Sequence, residues 1–271
     1  MGRGRLIGVH AQLLFTALVW GGQFVALRVV LRELRVVDML LLRTLLAASF
    51  YTVLLGWLAR RDGQFPRIKR ADWRTMVLVA LLGVPGGGVG VMTAQRYISA
   101  DVSSLITVIG PVFTALAAFL LLGQRLTRPQ VTGIGLAMAG FVVILFLGGK
   151  GTHFEVNNMI GVLLMASSPF FWAFYTVLSK SLVMRYGSAV VTGYVMLLGA
   201  LSLTPLLSAQ FVQHLRALSG PAWAAALFSG LIATGVSYLL WNRGLSVLQP
   251  AQVAVYIYLV PVFGVLTAAV V

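Results

Sequence analysis

The chain has 271 residues, 59% hydrophobic and 10% charged, whereas about a quarter of a soluble domain is charged. That much apolar surface cannot be hidden in one globular core, which excludes an ordinary water-soluble enzyme and points to a chain partly solvated by lipid. The net charge of +14 is scattered between apolar runs, as expected of loops facing anionic lipid rather than of a nucleic-acid-binding patch.

Nine apolar runs of about the 20 residues needed to cross a bilayer fall at 9–30, 37–59, 73–95, 101–122, 129–148, 159–181, 189–209, 222–242 and 250–271. The start, MGRGRLIGVHAQ, resembles the charged region of a signal peptide. The run behind it has span length and no A-x-A site, so it reads as a retained first helix. All six acidic residues, Glu33, Asp38, Asp62, Asp72, Asp101 and Glu155, lie at or beyond the ends of runs. With the N-terminus in the cytoplasm, 13 Lys and Arg fall on the inside and six on the outside, with Arg43 left within a span. The excess favours that orientation. The absence of Cys removes a disulfide framework, a Cys-ligated metal and a thiol nucleophile, and no cofactor or metal is expected.

In span 1, Trp20 and Gln23 are three apart and share a face. Gln23 lies deep in its run, where an unpaired amide is costly, so a partner or a wet cavity is expected. Arg43 stands about 9 Å past the start of span 2. It either snorkels to the surface or faces a cavity and meets a substrate carboxylate. Span 3 contains GVPGGGVG, Gly83 to Gly90. Its four-residue glycine spacings favour close helix approach, and it lacks the Lys-Ser of a phosphate loop. In span 4, Ser103 and Thr107 form a narrow polar stripe before Pro111; such hydroxyls often bond their own helix backbone. Span 6 places Trp172 and Tyr175 on one face, and Tyr238 in span 8 is a weaker candidate of the same kind. In span 9, Tyr256 is favoured over Tyr258 because Gln252 lies one turn before it on the same side. Aromatic walls with a few polar groups suit an amphipathic organic solute; the alternative is ordinary packing or an interfacial belt. Pro111 and Pro261 each remove a backbone hydrogen bond within a span and are candidate hinges or static kinks. His10, His153 and His214 lie near span ends, and no catalytic constellation is visible. No carboxylate lies deep in a span, which argues against a cation antiporter.

The chain repeats itself. PVFTALAA at Pro111 returns as PVFGVLTA at Pro261, 150 residues on, with five of eight residues matching. Setting Trp20 on Trp172 places Arg28 on Lys180, and Gln95-Arg96 falls on Asn242-Arg243. The units are 1–149 with spans 1–5 and 157–271 with spans 6–9, the second lacking a counterpart of span 5. Five spans per unit would invert the second copy in the membrane, an arrangement typical of transporters.

The pieces VWGGQF, LLLRTLLAA, GPVFTALAAFLLLGQRLT, PQVTGIGLAMAGFVVIL, WAFYTVLSKSL and YIYLVPVF together resemble the drug/metabolite transporter superfamily in its EamA-type branch. The resemblance covers nearly the whole length. It implies an all-α polytopic fold of ten helices in two inverted five-helix bundles around a central cavity. It also implies export of small metabolites, often amino acids, across the cell membrane, in bacteria the inner membrane. The implied partners are a small-molecule substrate and the lipid bilayer, with no nucleic acid. Trp20, Gln23, Arg43, Thr107, Trp172, Tyr175, Tyr238 and Tyr256 are the expected substrate-binding residues. Two features depart from the family: Gln124 stands where LGERLT usually carries Glu, and the tenth helix is missing. Other organic solutes, a non-transporting scaffold and an intramembrane enzyme are the alternative readings.

Overall fold

The computed structural model describes residues 3–98, 100–124, 127–147 and 156–268. The polar break predicted at Gly148–Asn158 lies mostly outside them, as do Arg125, Lys150, His153 and Glu155. All elements among the described residues are helical. In chain order they are α1 (Arg3–Val30), α2 (Val36–Asp62), α3 (Trp73–Leu81), α4 (Gly87–Ala94), α5 (Ala100–Ile106), α6 (Gly110–Leu122) and α7 (Arg128–Leu147). There follow α8 (Val156–Tyr186), α9 (Ser188–Leu203), α10 (Ala209–Ala217), α11 (Gly220–Leu227), α12 (Ser237–Leu245), α13 (Pro250–Ala254) and α14 (Val260–Ala268).

Seven continuous helical stretches among the described residues are long and apolar enough to cross a bilayer: Leu6–Val30, Val36–Asp62, Arg70–Ala94, Met159–Tyr186, Ser188–Leu206, Gly220–Leu245 and Pro250–Thr267. The chain is a multi-pass membrane protein. Two predicted runs remain. The run at 101–122 corresponds to α5 and α6 with their link, of which Thr107–Leu122 is a shorter apolar helix. The run at 129–148 corresponds to α7, which has 20 residues. Large apolar side chains on the outside, such as Leu136 at 75% and Leu120 at 72% exposure, suit contact with acyl chains and not with water.

Three of the seven stretches and the run at 101–122 change helical pitch midway. A π-helical segment, Leu82–Gly86, joins α3 to α4, and another, Phe228–Val236, joins α11 to α12. A 3-10 segment, Thr107–Ile109, joins α5 to α6, and Val255–Leu259 joins α13 to α14. Pro111 and Pro261 are each the second residue of the α-helix that restarts after the 3-10 segment. A missing N–H costs little there, so each proline marks a restart more than a kink in an unbroken helix. Glycine terminates elements where the backbone turns left-handed: Gly63 after α2, Gly123 after α6, and Gly187, alone between α8 and α9.

The glycine run of span 3 packs against α8. A Cβ on Gly83 would sit 2.5 Å from the Tyr175 ring, one on Gly86 3.2 Å from Phe171, and one on Gly90 2.6 Å from the Leu164 carbonyl. Close approach is therefore what these glycines provide. The connection after α9 contains α10. Ser208 caps it by accepting from the Phe211 N–H at 3.2 Å, and Phe211 is buried.

Hydrogen bonds between turns define two ends of the bundle, one carrying residues 31–35 with Gln210 and Ser219, the other carrying 63–69 with Tyr186 and Tyr194. At the first end, Arg35 donates to Asp38 at 2.8 Å, His214 Nδ1 lies 2.7 Å from Asp38, and Ser219 donates twice to Glu33. At the second, Arg185 and Tyr186 bond Asp72, Lys180 donates to the Leu245 and Leu248 carbonyls, and Gln124 donates to Gln249 at 2.8 Å. The amide at Gln124 thus forms a neutral link between the turn after α6 and the start of α13.

Candidate functional site

The sequence places its unusual polar and aromatic residues on six different spans, and the fold gathers most of them around one cavity of about 130 Å³. Trp20, Gln23, Phe24 and Leu27 come from α1, and Arg43 from α2. Gly87 and Val91 come from α4, and Ser168, Pro169 and Trp172 from α8. Tyr238 comes from α12 and Val260 from α14, while Thr107 and Ile257 come from the two 3-10 segments. Free space of that size holds on the order of ten waters or one small organic solute. Six of the eight sequence-expected residues line it: Trp20, Gln23, Arg43, Thr107, Trp172 and Tyr238.

The remaining two do not. Tyr175 is fully buried one turn behind Trp172, with ring centroids 4.7 Å apart. It accepts a hydrogen bond from Asn242 Nδ2 at 2.7 Å. Tyr256 instead meets His10 through its hydroxyl. Gln252, the reason for preferring Tyr256, caps α13: the Gln249 N–H donates to its side-chain oxygen at 2.9 Å. The one-turn spacing was real, but the side of the helix it marked belongs to the capping box.

The cavity has a layered floor. Trp20 meets Trp172 edge to face at 5.2 Å and Trp241 at 5.1 Å, and Trp172 meets Tyr238 at 4.9 Å. Along α1 the lining runs from Trp20 toward Val30. On α8 and α12 it stops at Trp172 and Tyr238, one turn before Tyr175 and Trp241. The aromatic layer therefore separates the cavity from the 63–69 end, and the cavity lies on the 31–35 side. Below the layer, Asn242 Nδ2 also donates to Thr192 at 2.8 Å, and Trp241 donates to Thr176 at 3.2 Å.

The pitch changes supply anchors for these rings. A π segment leaves carbonyls without their usual partners. The Trp20 indole donates to the Ala233 carbonyl at 2.9 Å, Tyr238 to Gly83 at 3.0 Å and Tyr51 to Gly235 at 2.6 Å. Each ring is thereby fixed to a break in a helix of the other half of the chain. Sequence reasoning missed Tyr51, whose signal lay in which carbonyl the π segment frees, and Trp241 and Ser168, which only the packing of α8 and α12 brings to the site.

Arg43 is the most unusual group in the site. It is 6% exposed, its Nε has no hydrogen-bond partner, and no ion pair holds it among the described residues. The surface-snorkelling alternative does not describe it. Leu40 and Arg43 lie over Gly88, where a Cβ would meet the guanidinium at 2.9 Å. The Trp172 Nε1 is likewise buried without a partner.

Comparison with known proteins accords with this architecture. The family model described as the EamA-like transporter family matches residues 9–146 and again residues 159–271. The chain belongs to the EamA-like transporter family. It is 29% identical to an uncharacterized transporter of Archaeoglobus fulgidus, over 96% of this chain and 87% of that protein. It is 28% identical to a protein of Streptantibioticus cattleyicolor named "Probable terminal-alkyne amino-acid exporter", over 94% of this chain and 82% of the relative. A solved crystal structure, 21% identical, superposes with a TM-score of 0.70 over 95% of this chain and 86% of the other, which shows a shared fold. This EamA-family protein is a membrane transporter.

Proposed function

We propose that this transporter exports small organic solutes that combine a carboxylate with an apolar or aromatic body, the class that includes neutral and aromatic amino acids. The observation that carries the reading is the cavity itself: a tryptophan-and-tyrosine floor with one buried guanidinium in its wall. An aromatic floor accepts an apolar side chain, and Arg43 is placed to meet a carboxylate. The amino-acid exporter among the relatives supports the same class.

The proposed mechanism is alternating access between two inverted units, 1–149 and 157–271, with the N-terminus cytoplasmic in the cell membrane and no covalent chemistry. The family model's two matches support the pairing of units. So does the contact between the 3-10 segments before Pro111 and Pro261. Those segments are the proposed hinges, because a 3-10 turn before a restarted helix absorbs a change of direction without breaking an α-helical ladder. In this orientation the cavity lies toward the outside and the aromatic layer closes the cytoplasmic side.

Flux of labelled neutral and aromatic amino acids into proteoliposomes, with and without a pH gradient, tests the reading. Saturable uptake is expected, with Trp20→Ala lowering it about tenfold or more by opening the floor. If a well-folded preparation gives no saturable flux of any organic solute, the carrier reading fails.

A further inference from the structure

The charge inventory of the cavity says more about the substrate than its shape does. Arg43 contributes one full positive charge, fixed in the wall and nine-tenths buried. No carboxylate side chain lines the cavity among the described residues. The acids that could approach it are committed elsewhere: Asp38, five residues before Arg43, to Arg35 and His214, and Glu33 to Ser219. Two wall residues each bury a donor without a partner, Arg43 through Nε and Trp172 through Nε1.

The carbonyls at the π segments nearest the floor already accept from Trp20 and Tyr238. Gln23 and Ser168 offer oxygens that can hydrogen-bond an ammonium group but carry no charge to balance it. A zwitterion would therefore satisfy Arg43 with its carboxylate and leave its own ammonium buried near a guanidinium, with no counter-charge. An organic monoanion would bring the site to neutrality. Since burying an unbalanced charge is costly, the two ligands differ in affinity even when their bodies are the same.

We infer that the site selects apolar-bodied monocarboxylates over the corresponding zwitterionic amino acids, with Arg43 and the Trp172 indole N–H as the paired donors for the carboxylate. This rests on the proposed function and ranks substrates within its class. It places the amino group, not the side chain, as the feature the site disfavours. Amino acids whose amine is acylated or replaced fall on the favoured side.

Three ligands with one body separate the possibilities: 3-phenylpropanoate, phenylalanine and phenethylamine, titrated onto the purified full chain in detergent and followed by quenching of tryptophan fluorescence. 3-Phenylpropanoate is expected to bind about tenfold or more tighter than phenylalanine, with phenethylamine weakest. Arg43→Gln should abolish the difference between the first two, and Arg43→Lys should retain it. Trp172→Phe, which keeps a ring and removes the N–H, should weaken both carboxylates and leave phenethylamine unchanged, and serves if Arg43→Gln fails to fold. Phenylalanine binding as tightly as 3-phenylpropanoate, or tighter, overturns the inference while leaving the carrier reading intact. The absence of saturable binding by all three, together with absent flux of every organic solute, removes the carrier reading instead.

Discussion

A buried side chain with a polar end must find its partners inside the bundle, and Asn242 shows how much one residue can organise. It is fully buried, and its amide donates to both Tyr175 and Thr192, joining α12 to α8 and α9 beneath the aromatic floor. Asn242→Ala should destabilise the protein by about 1–2 kcal/mol, by leaving two buried hydroxyls without their donor. Asn242→Asp should be worse, since it buries a carboxylate with no counter-charge bonded to it. Thermal unfolding in detergent reads both. Arg43 is the opposite case. It is buried with its Nε unpartnered, and the proposed function rests on that exception to ordinary packing. Its depth was legible from its place in a run, whereas its lack of a partner was not, because pairing depends on which residues other helices bring alongside.

At the scale of elements, the glycines divide into two kinds that composition does not separate. Gly90 sits where a Cβ would be 2.6 Å from the Leu164 carbonyl, which cannot move without shifting α8; around Gly8 nothing lies within 4 Å. Gly90→Ala should therefore cost about 1–3 kcal/mol through overpacking. Gly8→Ala should be neutral or stabilising by up to about 1 kcal/mol, because only backbone entropy changes. Retention of a monodisperse species after heating distinguishes them. The expectation that GVPGGGVG serves close packing followed from four-residue spacing alone, since small residues at i and i+4 leave a groove. The π segment inside it was not legible. A wider turn has no residue signature of its own; here it coincides with Pro85, and in α11–α12 with no proline at all.

For the whole molecule, the two ends of the bundle are tied by different chemistry. At the 31–35 end, the Ser219 hydroxyl and then its backbone N–H hold the Glu33 carboxyl below its ordinary value of 4.5. Because the folded-state value is the lower one, this contact stabilises the protein above the unfolded pKa and is lost as pH falls through the folded value. Between about pH 6 and about pH 3 the wild type should lose stability more steeply than Glu33→Gln, as thermal melting across that range would measure. Equal slopes would show that Glu33 does not contribute. The same end carries the buried Asp38 with Arg35 and His214. Together these contacts connect the first interhelical turn to the α10–α11 region, across more than 170 residues of chain.

Composition and run length were enough to establish a multi-pass helical membrane protein, because a lipid solvent demands about 20 apolar residues per crossing whatever the fold. The repeated Pro-Val-Phe blocks and the resemblance they carry pointed to the family, since those are local patterns preserved along the chain. Residue type, depth in a run and local spacing also singled out Trp20, Gln23, Arg43, Thr107, Trp172 and Tyr238 as candidates. Tertiary structure alone decided that these six share one cavity, that Tyr175 lies behind it and that Tyr256 turns to His10. Helical periodicity specifies which residues share a face, but not which faces meet. That is set by packing between helices distant in sequence, here by glycines that admit α8 and by π-segment carbonyls that capture the rings.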